Sequence, residues 1–348
     1  MFTPFFTITP KITKDIETIG TIFGYFDAVS LPKNYRKEYV SKITAEIVHA
    51  STAIEGNTLT EKQVREVLQG KKIPAQEIDI KEVQNYNKAL SFIEFIEINE
   101  KFTFTEALIK KINGIILKGI KDNIAGKYRL KQVIVGDYLP PEYYKVPLLM
   151  REFVQWANNP QPENLSPILY TGIGHYQLVA IHPFEDGNGR ATRILTTLML
   201  IKYGYDMTSF FALESYYNRN RKAYYEALNS ADKYRINHQP DLTRWLEYYT
   251  KGMLIEAERA KSRIEEIMEK NKSLKGKAWL SDTQVKILQL TIKKETVKIA
   301  DYLKISNLSR KGTYNALEKL VRLGLIKRIG EKKGAYYMIK EKGLDYIR

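Results

Sequence analysis

The stretch Ile181-His182-Pro183-Phe184-Glu185-Asp186-Gly187-Asn188-Gly189-Arg190-Ala191-Thr192-Arg193 decides how the centre of this chain is interpreted. The segments on either side, Thr171 to Ile181 and Ile194 to Tyr203, carry apolar residues at helical spacing, which predicts helix, tight turn and helix. The turn would lie at a helix N-terminus, where free backbone N–H groups and the helix dipole favour anions. The pattern therefore indicates a nucleotide-phosphate site.

The small and the basic residues of the stretch fit the same interpretation. Gly187 and Gly189 have no Cβ, so the backbone can curl and a ligand can approach it closely. Arg190 and Arg193 are three residues apart on the following helix and share a face. Both guanidinium groups are therefore expected to reach one polyphosphate.

The segment His182 to Arg193 resembles the Fic family motif HPFx(D/E)GNGRxxR at every defined position. The resemblance extends to His175-Tyr176-Gln177 and to the segments Ser215–Leu228 and Asp241–Tyr249, and so covers more than half of the chain. It implies a mainly α fold, with a Fic-fold helical core and a short β-hairpin flap. It also implies a protein adenylyltransferase that transfers AMP from ATP to a Ser, Thr or Tyr hydroxyl of a protein target or of itself, releasing pyrophosphate.

The resemblance assigns roles to individual residues of the motif. His182 would be the general base, for which an ordinary pKa near 6.5 is suitable. Taken alone, a histidine at this position is more often a hydrogen-bonded core residue. Asp186 would be the Mg²⁺ ligand, because magnesium binds through one or two carboxylates and phosphate oxygens. The phosphates of ATP would be bound by Gly187, Asn188, Gly189, Arg190 and Arg193.

A second segment, Ser51-Thr52-Ala53-Ile54-Glu55-Gly56-Asn57, resembles the inhibitory motif (S/T)xxxE(G/N) of Fic proteins that are inhibited by an N-terminal helix. Ser51, Glu55 and Gly56 match its defined positions. Glu55 could pair bidentately with Arg193 and so deny that arginine to the γ-phosphate. In the simpler interpretation, Gly56-Asn57 caps a helix beside a solvated glutamate.

Two further assignments concern the target and the adenine ring. The segment Lys131-Gln132-Val133-Ile134-Val135, followed by Tyr138 to Lys145, is typical of a short β-hairpin, which is the flap of the resembled family. It could bind an extended target segment by β-augmentation, or it could be an ordinary solvated hairpin. Tyr224 and Tyr225 lie where the family builds its adenine pocket, although helical tyrosines are more often packing residues.

The end of the chain is basic, since residues 281–348 contain 16 Lys and Arg against 7 Asp and Glu. Helices at Thr283–Leu290, Val297–Leu303 and Ser309–Leu323, followed by strands at Leu325–Ile329 and Ala335–Ile339, predict a winged helix-turn-helix domain. DNA binding would use Ser309 to Asn315 and the wing residues Lys327, Arg328, Lys332 and Lys333. A protein-docking role, a homodimer contact and a merely solvated surface are the alternatives.

The composition sets wider limits. The 348 residues contain no cysteine, which excludes disulfides and thiolate sites, and the four histidines lack zinc-ligand spacing. Without a long apolar run or a signal peptide, we expect a cytoplasmic protein with no membrane contact. The expected divisions are an N-terminal helical region at 1–100, the Fic catalytic core at 101–255, a helical linker at 256–281 and the winged helix at 282–348.

Two other functions are compatible with the same residues. In the first, the chain is a DNA-binding transcriptional regulator whose Fic core senses a nucleotide without turning it over. In the second, the Fic fold performs other chemistry, such as removal of AMP, phosphorylation or transfer of another nucleotide. The sequence does not decide among these functions, because the central motif shows no departure from the family pattern.

Overall fold

The computed structural model describes residues 3–28, 33–96, 102–159, 165–203, 205, 212–231, 240–275, 280, 282–294, 296–306, 310–330 and 335–344. The protein is mainly helical, as the sequence predicts, and divides into two units, Met1–Ile264 and Glu265–Arg348. No helix in the ranges given is both long enough and apolar enough to span a bilayer.

The helices of the first part of the chain lie between residues 10 and 275. In chain order they are α1 (Pro10–Ala28), α2 (Lys33–Ile54), α3 (Glu61–Leu68), α4 (Glu77–Glu94), α5 (Glu106–Leu117), α6 (Val146–Asn158), α7 (Pro167–Ile181), α8 (Asn188–Lys202), α9 (Leu213–Arg219), α10 (Arg221–Asn229) and α11 (Thr243–Lys275).

Helix α7 is the centre of the first unit, and its residues are buried on every face. A helix that is apolar all round needs neighbours on all sides, and α6, α8 and α11 provide them. Trp245 of α11 donates its indole N–H to the carbonyl of Gly172 at 2.8 Å, and the hydroxyls of Tyr249 and Thr171 lie 3.0 Å apart. This packing holds the first half of α7, and the central motif begins at the other end of the helix.

Helix α11 differs from the expected linker. The sequence predicts a boundary at residue 255 and a helical linker at 256–281, whereas α11 runs without interruption from Thr243 to Lys275. From residue 253 to residue 275 the sequence has neither glycine nor proline, so nothing local ends the helix. The four-part division of the chain stays a prediction.

The predicted flap hairpin is a tight turn and not a pair of strands. A single antiparallel bridge joins Val135 and Tyr138 around Gly136-Asp137, and Tyr143–Lys145 forms one turn of 3₁₀ helix. Pro140 and Pro141 have no backbone N–H, so the ladder cannot continue past the first bridge.

The second unit contains α12 (Asp282–Lys293), β1 (Val297–Lys298), α13 (Ile299–Ser306), α14 (Arg310–Arg322), β2 (Ile326–Ile329), β3 (Tyr336–Ile339) and α15 (Glu341–Leu344). The three strands form an antiparallel sheet in the order β1-β3-β2, with Val297 opposite Tyr337 and Arg328 opposite the same residue. Val297 and Lys298, expected to begin a helix, pair instead with β3. The winged-helix assignment stays a prediction, and the element order is compatible with it.

A glycine of the central helix allows a test of this packing. A Cβ at Gly172 would lie 2.8 Å from Tyr249 Cδ1 and 2.9 Å from Leu246 Cδ2. We expect Gly172→Ala to lower the free energy of unfolding by about 1–3 kcal/mol in urea denaturation, because the extra methyl overpacks the contact with α11. Gly20 of α1 is the matched control, since a Cβ there meets nothing within 4 Å. Gly20→Ala should instead raise the free energy of unfolding by about 0.5–1 kcal/mol. Equal effects of the two changes would contradict the close contact of α7 with α11.

Candidate functional site

The turn between α7 and α8 is bounded by two residues in the left-handed conformation. His182 ends α7 with φ 49°, and it is the one non-glycine residue with positive φ in the described part of the chain. Gly187 begins α8 with φ 77°. A left-handed histidine is uncommon and has to be held by its surroundings. The conformation thus fixes the direction in which the imidazole leaves the backbone.

Side chains from outside the turn hold it in this shape. Arg129 donates from Nε to the carbonyl of His182 at 2.9 Å, and its backbone N–H donates to Pro183. Tyr138 donates its hydroxyl to the carbonyl of Ala180 at 2.8 Å. Asn113 of α5 donates to the carbonyl of Asp186 at 2.9 Å. These contacts satisfy carbonyls at the end of α7 and in the turn, which would otherwise be left unpaired.

The imidazole of His182 is mostly buried. Burial lowers the pKa of His182 to about 4, although a backbone hydrogen bond to Val179 opposes the shift. Its Nδ1 lies 3.4 Å from the carbonyl oxygen of Val179, which favours the tautomer with the proton on Nδ1. Nε2 is then the basic nitrogen, and the ring is neutral at physiological pH.

Arg193 of α8 is almost completely buried and is bound by the end of α2. Its Nε donates to Ser51 Oγ at 2.6 Å, and its Nη2 donates to the Ser51 carbonyl at 2.9 Å and to Glu55 Oε1 at 2.8 Å. Burial alone would lower the pKa of Arg193, but the Glu55 carboxylate raises it above its usual range. The expected bidentate pair is wrong in detail, because Ser51 occupies the second side of the guanidinium group.

A cavity of about 480 Å³ lies between these groups. Its lining includes His182, Asn188, Gly189, Arg193 and Glu55. The remaining lining residues are Val135, Gly136, Asp137, Tyr138, Val179, Tyr224, Tyr225, Leu228 and Asn229. A base, a helix N-terminus and a buried cation therefore meet in one enclosed space, which is the arrangement needed to bind and react a phosphate ester.

Comparison with known proteins agrees with this geometry. Residues 103–200 match the model of the Fic/DOC family. The chain contains a Fic domain. It is 34% identical over 163 residues to "Protein adenylyltransferase Fic" of Drosophila grimshawi, covering 45% of this chain and 33% of the relative. It is 33% identical over 207 residues to the protein of the same name from Nematostella vectensis, covering 59% of this chain and 46% of that relative.

A solved Fic family protein from Desulfovibrio desulfuricans has the same fold over 98% of this chain and 99% of its own, with a TM-score of 0.69 and 24% identity. The chain spans less than half the length of the two curated relatives. The comparisons therefore establish the domain and the fold, whereas the activity of the whole protein has to be argued from the site.

Two expected phosphate ligands of the Fic domain are engaged elsewhere in this structure. Asn188 is buried, and its side chain accepts from Phe184 N–H at 2.8 Å and donates to Phe184 C=O at 2.9 Å, so it braces the turn. Arg190 is also buried and donates to Glu82 Oε1 at 2.8 Å and to Asp186 Oδ1 at 3.1 Å. Its guanidinium group is therefore directed to carboxylates and not to the cavity lining.

Asp186 is the expected metal ligand. Burial alone would raise the pKa of Asp186, but Lys121 at 2.6 Å from Oδ2 and Arg190 hold it below the usual range. Within the described ranges, no three histidine or acidic side chains are grouped so that they could hold a metal ion by themselves. Asp186 is nevertheless ionised and partly exposed, and the side chain of Lys121 is half-exposed. A carboxylate of this kind fits Mg²⁺ that also binds phosphate oxygens, provided that Lys121 moves.

The tyrosines expected near adenine have different environments. Tyr224 is buried, and its hydroxyl lies 2.9 Å from His175 Nε2. His175 is fully buried and also contacts Thr196 Oγ1 at 3.0 Å, so it is a core histidine. Tyr225 is 43% exposed at the mouth of the cavity. Tyr225 is thus the more accessible surface for a ring to stack on.

Sequence reasoning missed the residues that support the turn, chiefly Glu82, Asn113, Lys121, Arg129 and Tyr138. They come from α4, from α5 and from the loops before α6. Their spacing in the sequence carries no signal of this convergence. Only the proximity of Arg129 and Tyr138 to the flap segment indicated that this region lies at the site.

The state of His182 can be measured directly. We expect its ring to titrate with a midpoint near pH 4 in two-dimensional NMR of ¹³C-labelled protein, with assignment from the His182→Gln variant. Because the folded pKa lies below the unfolded value, His182 stabilises the fold above about pH 6.5 and this contribution is lost as the pH falls towards 4. A midpoint near the ordinary value would mean that the ring is solvated and turned away from the cavity.

Proposed function

We propose that this protein is an adenylyltransferase that transfers AMP from ATP to a Ser, Thr or Tyr hydroxyl of a protein target. The observation that carries the proposal is the cavity in which neutral His182, the N-terminus of α8 and buried Arg193 meet. The names of the relatives point to the same reaction, although this chain spans less than half of their length.

In the proposed reaction the target hydroxyl oxygen attacks the α-phosphorus in line, and the bond to the pyrophosphate oxygen breaks. His182 Nε2 takes the hydroxyl proton, which is worth roughly 10²–10⁴ in rate. The backbone N–H groups from Gly187 to Arg190 stabilise the charge on the phosphates. Mg²⁺ bound at Asp186 would neutralise phosphate charge when present. Arg190 acts through Asp186, which it orients by their 3.1 Å contact.

We infer further that Glu55 inhibits the transfer. Its carboxylate is bound to Arg193 and lies against the start of α8, since a Cβ on Gly189 would collide with Glu55 Oε1. Glu55 thus places a negative charge where the N-terminus of a helix and a buried guanidinium group both favour an anion. The γ-phosphate and Glu55 compete for Arg193, and ATP binds unproductively while Glu55 remains.

The tight turn at Val135–Tyr138 is proposed to position the target. The bridge uses the N–H and C=O of Val135, whereas the backbone N–H groups of Gln132, Val133 and Ile134 have no backbone partner among the described residues. Ile134 is 73% exposed beside the cavity. An extended target segment can pair with Lys131–Ile134, which would hold its hydroxyl near His182. Adenine is assigned to the part of the cavity lined by Tyr224 and Tyr225.

The C-terminal unit is proposed to bind DNA. Its core is separate and includes Leu288, Tyr302, Leu317 and Tyr337. Lys327 and Arg328 are exposed on β2, and Arg328 donates to the hydroxyl of Tyr314 on α14 at 3.1 Å, so Arg328 connects the strand to the helix. Of the other residues expected to contact DNA, Ser309, Lys332 and Lys333 lie outside the described residues, as do the side chains of Arg310 and Lys311.

The first test compares variants by transfer of label from α-³²P-ATP to protein in the presence of Mg²⁺. Glu55→Gly should raise transfer by roughly tenfold or more, because Arg193 becomes available to the γ-phosphate. Glu55→Gln keeps the shape and loses the charge, so its activity should lie between wild type and Glu55→Gly. The double variant Glu55→Gly/His182→Ala should transfer roughly 10²–10⁴-fold less label than Glu55→Gly.

Two outcomes would contradict these assignments separately. Equal transfer by wild type and Glu55→Gly would remove the inhibitory role of Glu55. Label from γ-³²P-ATP but not from α-³²P-ATP would replace AMP transfer by phosphorylation, and no label from either would favour a nucleotide sensor.

A second test measures DNA affinity by fluorescence anisotropy of a labelled duplex at several salt concentrations. Lys327→Ala/Arg328→Ala should weaken binding and reduce the slope of log K against log[salt] by about 2, since each contact to a phosphate releases about one counterion. Lys62→Ala/Lys71→Ala in the first unit is a control that should change neither quantity. Absence of binding even at low salt would exclude the proposal.

A further inference from the structure

Helix α2 has a second polar anchor at Glu46, nine residues before Glu55. Glu46 is 8% exposed, and its carboxylate accepts hydrogen bonds from three donor groups. Ser215 Oγ of α9 donates to Oε1 at 3.0 Å, and Arg263 of α11 donates from Nη1 to Oε2 at 2.9 Å and from Nη2 to Oε1 at 3.4 Å. Three helices that are far apart in the sequence therefore meet at one buried carboxylate.

This anchor and the Arg193 anchor hold α2 from different sides. Ser51, which binds Arg193, comes five residues after Glu46, and at 3.6 residues per turn the two side chains are about 140° apart around the helix. α9 packs against α2 on the Glu46 side, and α8 packs against it on the Ser51 side. Residues 45–54 are buried except for half-buried His49. α2 is thus enclosed and cannot shift without breaking one of the two anchors.

The position of Glu55 follows from the position of the helix. Glu55 is the residue immediately after Ile54, the last residue of α2, and its backbone N–H still donates to Thr52 C=O. A buried carboxylate cannot be left without partners, so displacement of α2 requires Glu46 to give up Ser215 and Arg263 together. The Glu46 contacts therefore oppose any movement that would carry Glu55 away from Arg193.

We propose that Glu46, Ser215 and Arg263 form a latch that holds α2 in place, and that Glu46 and Arg263 are positioning residues for inhibition by Glu55. The proposal rests on the proposed AMP transfer and on inhibition by Glu55. None of the three residues lines the cavity, so their influence on the reaction passes through α2. The latch identifies the place at which an activating signal has to act.

The experiment measures AMP transfer from α-³²P-ATP by Arg263→Ala and Glu46→Ala, each in the wild-type and in the Glu55→Gly background. With Glu55 present, both variants should raise transfer, roughly 5- to 150-fold, because α2 can move and free Arg193. In the Glu55→Gly background the same changes should have little effect, since the inhibitory carboxylate is already absent. The double variant Glu46→Ala/Arg263→Ala should equal either single variant.

Arg259 provides a matched control on the same helix. It lies one turn before Arg263 and pairs with Glu256 of α11 itself at 3.2 Å, and among the described residues it has no hydrogen bond or ion pair with α2. Arg259→Ala should leave transfer unchanged. Arg263→Lys keeps one charged donor to Glu46 and should restore most of the inhibition. Thermal melting of each variant separates loss of the latch from loss of the fold.

The outcomes are distinguishable. If Glu55→Gly is active and folded Arg263→Ala is no more active than wild type, the latch is overturned. An equal rise in AMP transfer in the wild-type and Glu55→Gly backgrounds would also overturn it, because the effect would then not depend on Glu55. If Arg263→Ala fails to fold, Glu46→Gln provides the same comparison with a smaller change. Inactivity of Glu55→Gly itself would count against the proposed function.

Discussion

The arrangement of the site depends on a guanidinium group that is out of contact with water. Arg193 is 2% exposed, and a buried cation is stable only when an anion and hydrogen-bond acceptors surround it. The end of α2 supplies both, the acceptors through Ser51 and the charge through Glu55. This requirement connects the N-terminal helices to the Fic motif. It also leaves the cavity with a cation that any bound polyphosphate has to share with Glu55.

The residues of the motif fall into two groups, those that face the cavity and those that hold the turn. Gly189 lines the cavity and lies against Glu55, whereas the side chains of Asn188 and Arg190 are occupied in maintaining the turn. His182 belongs to both groups, since its left-handed backbone is held by Arg129 while its ring lines the cavity. A motif residue can thus be indispensable without touching the substrate.

The sequence was sufficient for the elements whose signal is local. The helices around the central turn and the mainly α fold follow from apolar periodicity and from the central motif. The contact of Glu55 with Arg193 agrees with the resemblance of Ser51–Asn57 to the inhibitory motif, a much shorter pattern. It was insufficient where distant segments converge, because Glu82 and Lys121 have no local pattern that marks them as partners of Arg190 and Asp186. It also misjudged the flap, where the two prolines limit the pairing.

Glu55 and the γ-phosphate can each accept a hydrogen bond from Arg193 in the proposed reaction. Exchange of one for the other then changes the free energy of the buried guanidinium group only slightly. Each exchange replaces one charge-assisted hydrogen bond by another in the same buried pocket. The balance between the inhibited and the active arrangement is therefore decided less by the 2.8 Å contact of Arg193 with Glu55 than by what holds α2 elsewhere. Glu46 is such an attachment, because its buried carboxylate accepts from three donor groups of α9 and α11. Regulation of this kind of site is thus expected to act on the packing of α2 and not on the catalytic residues.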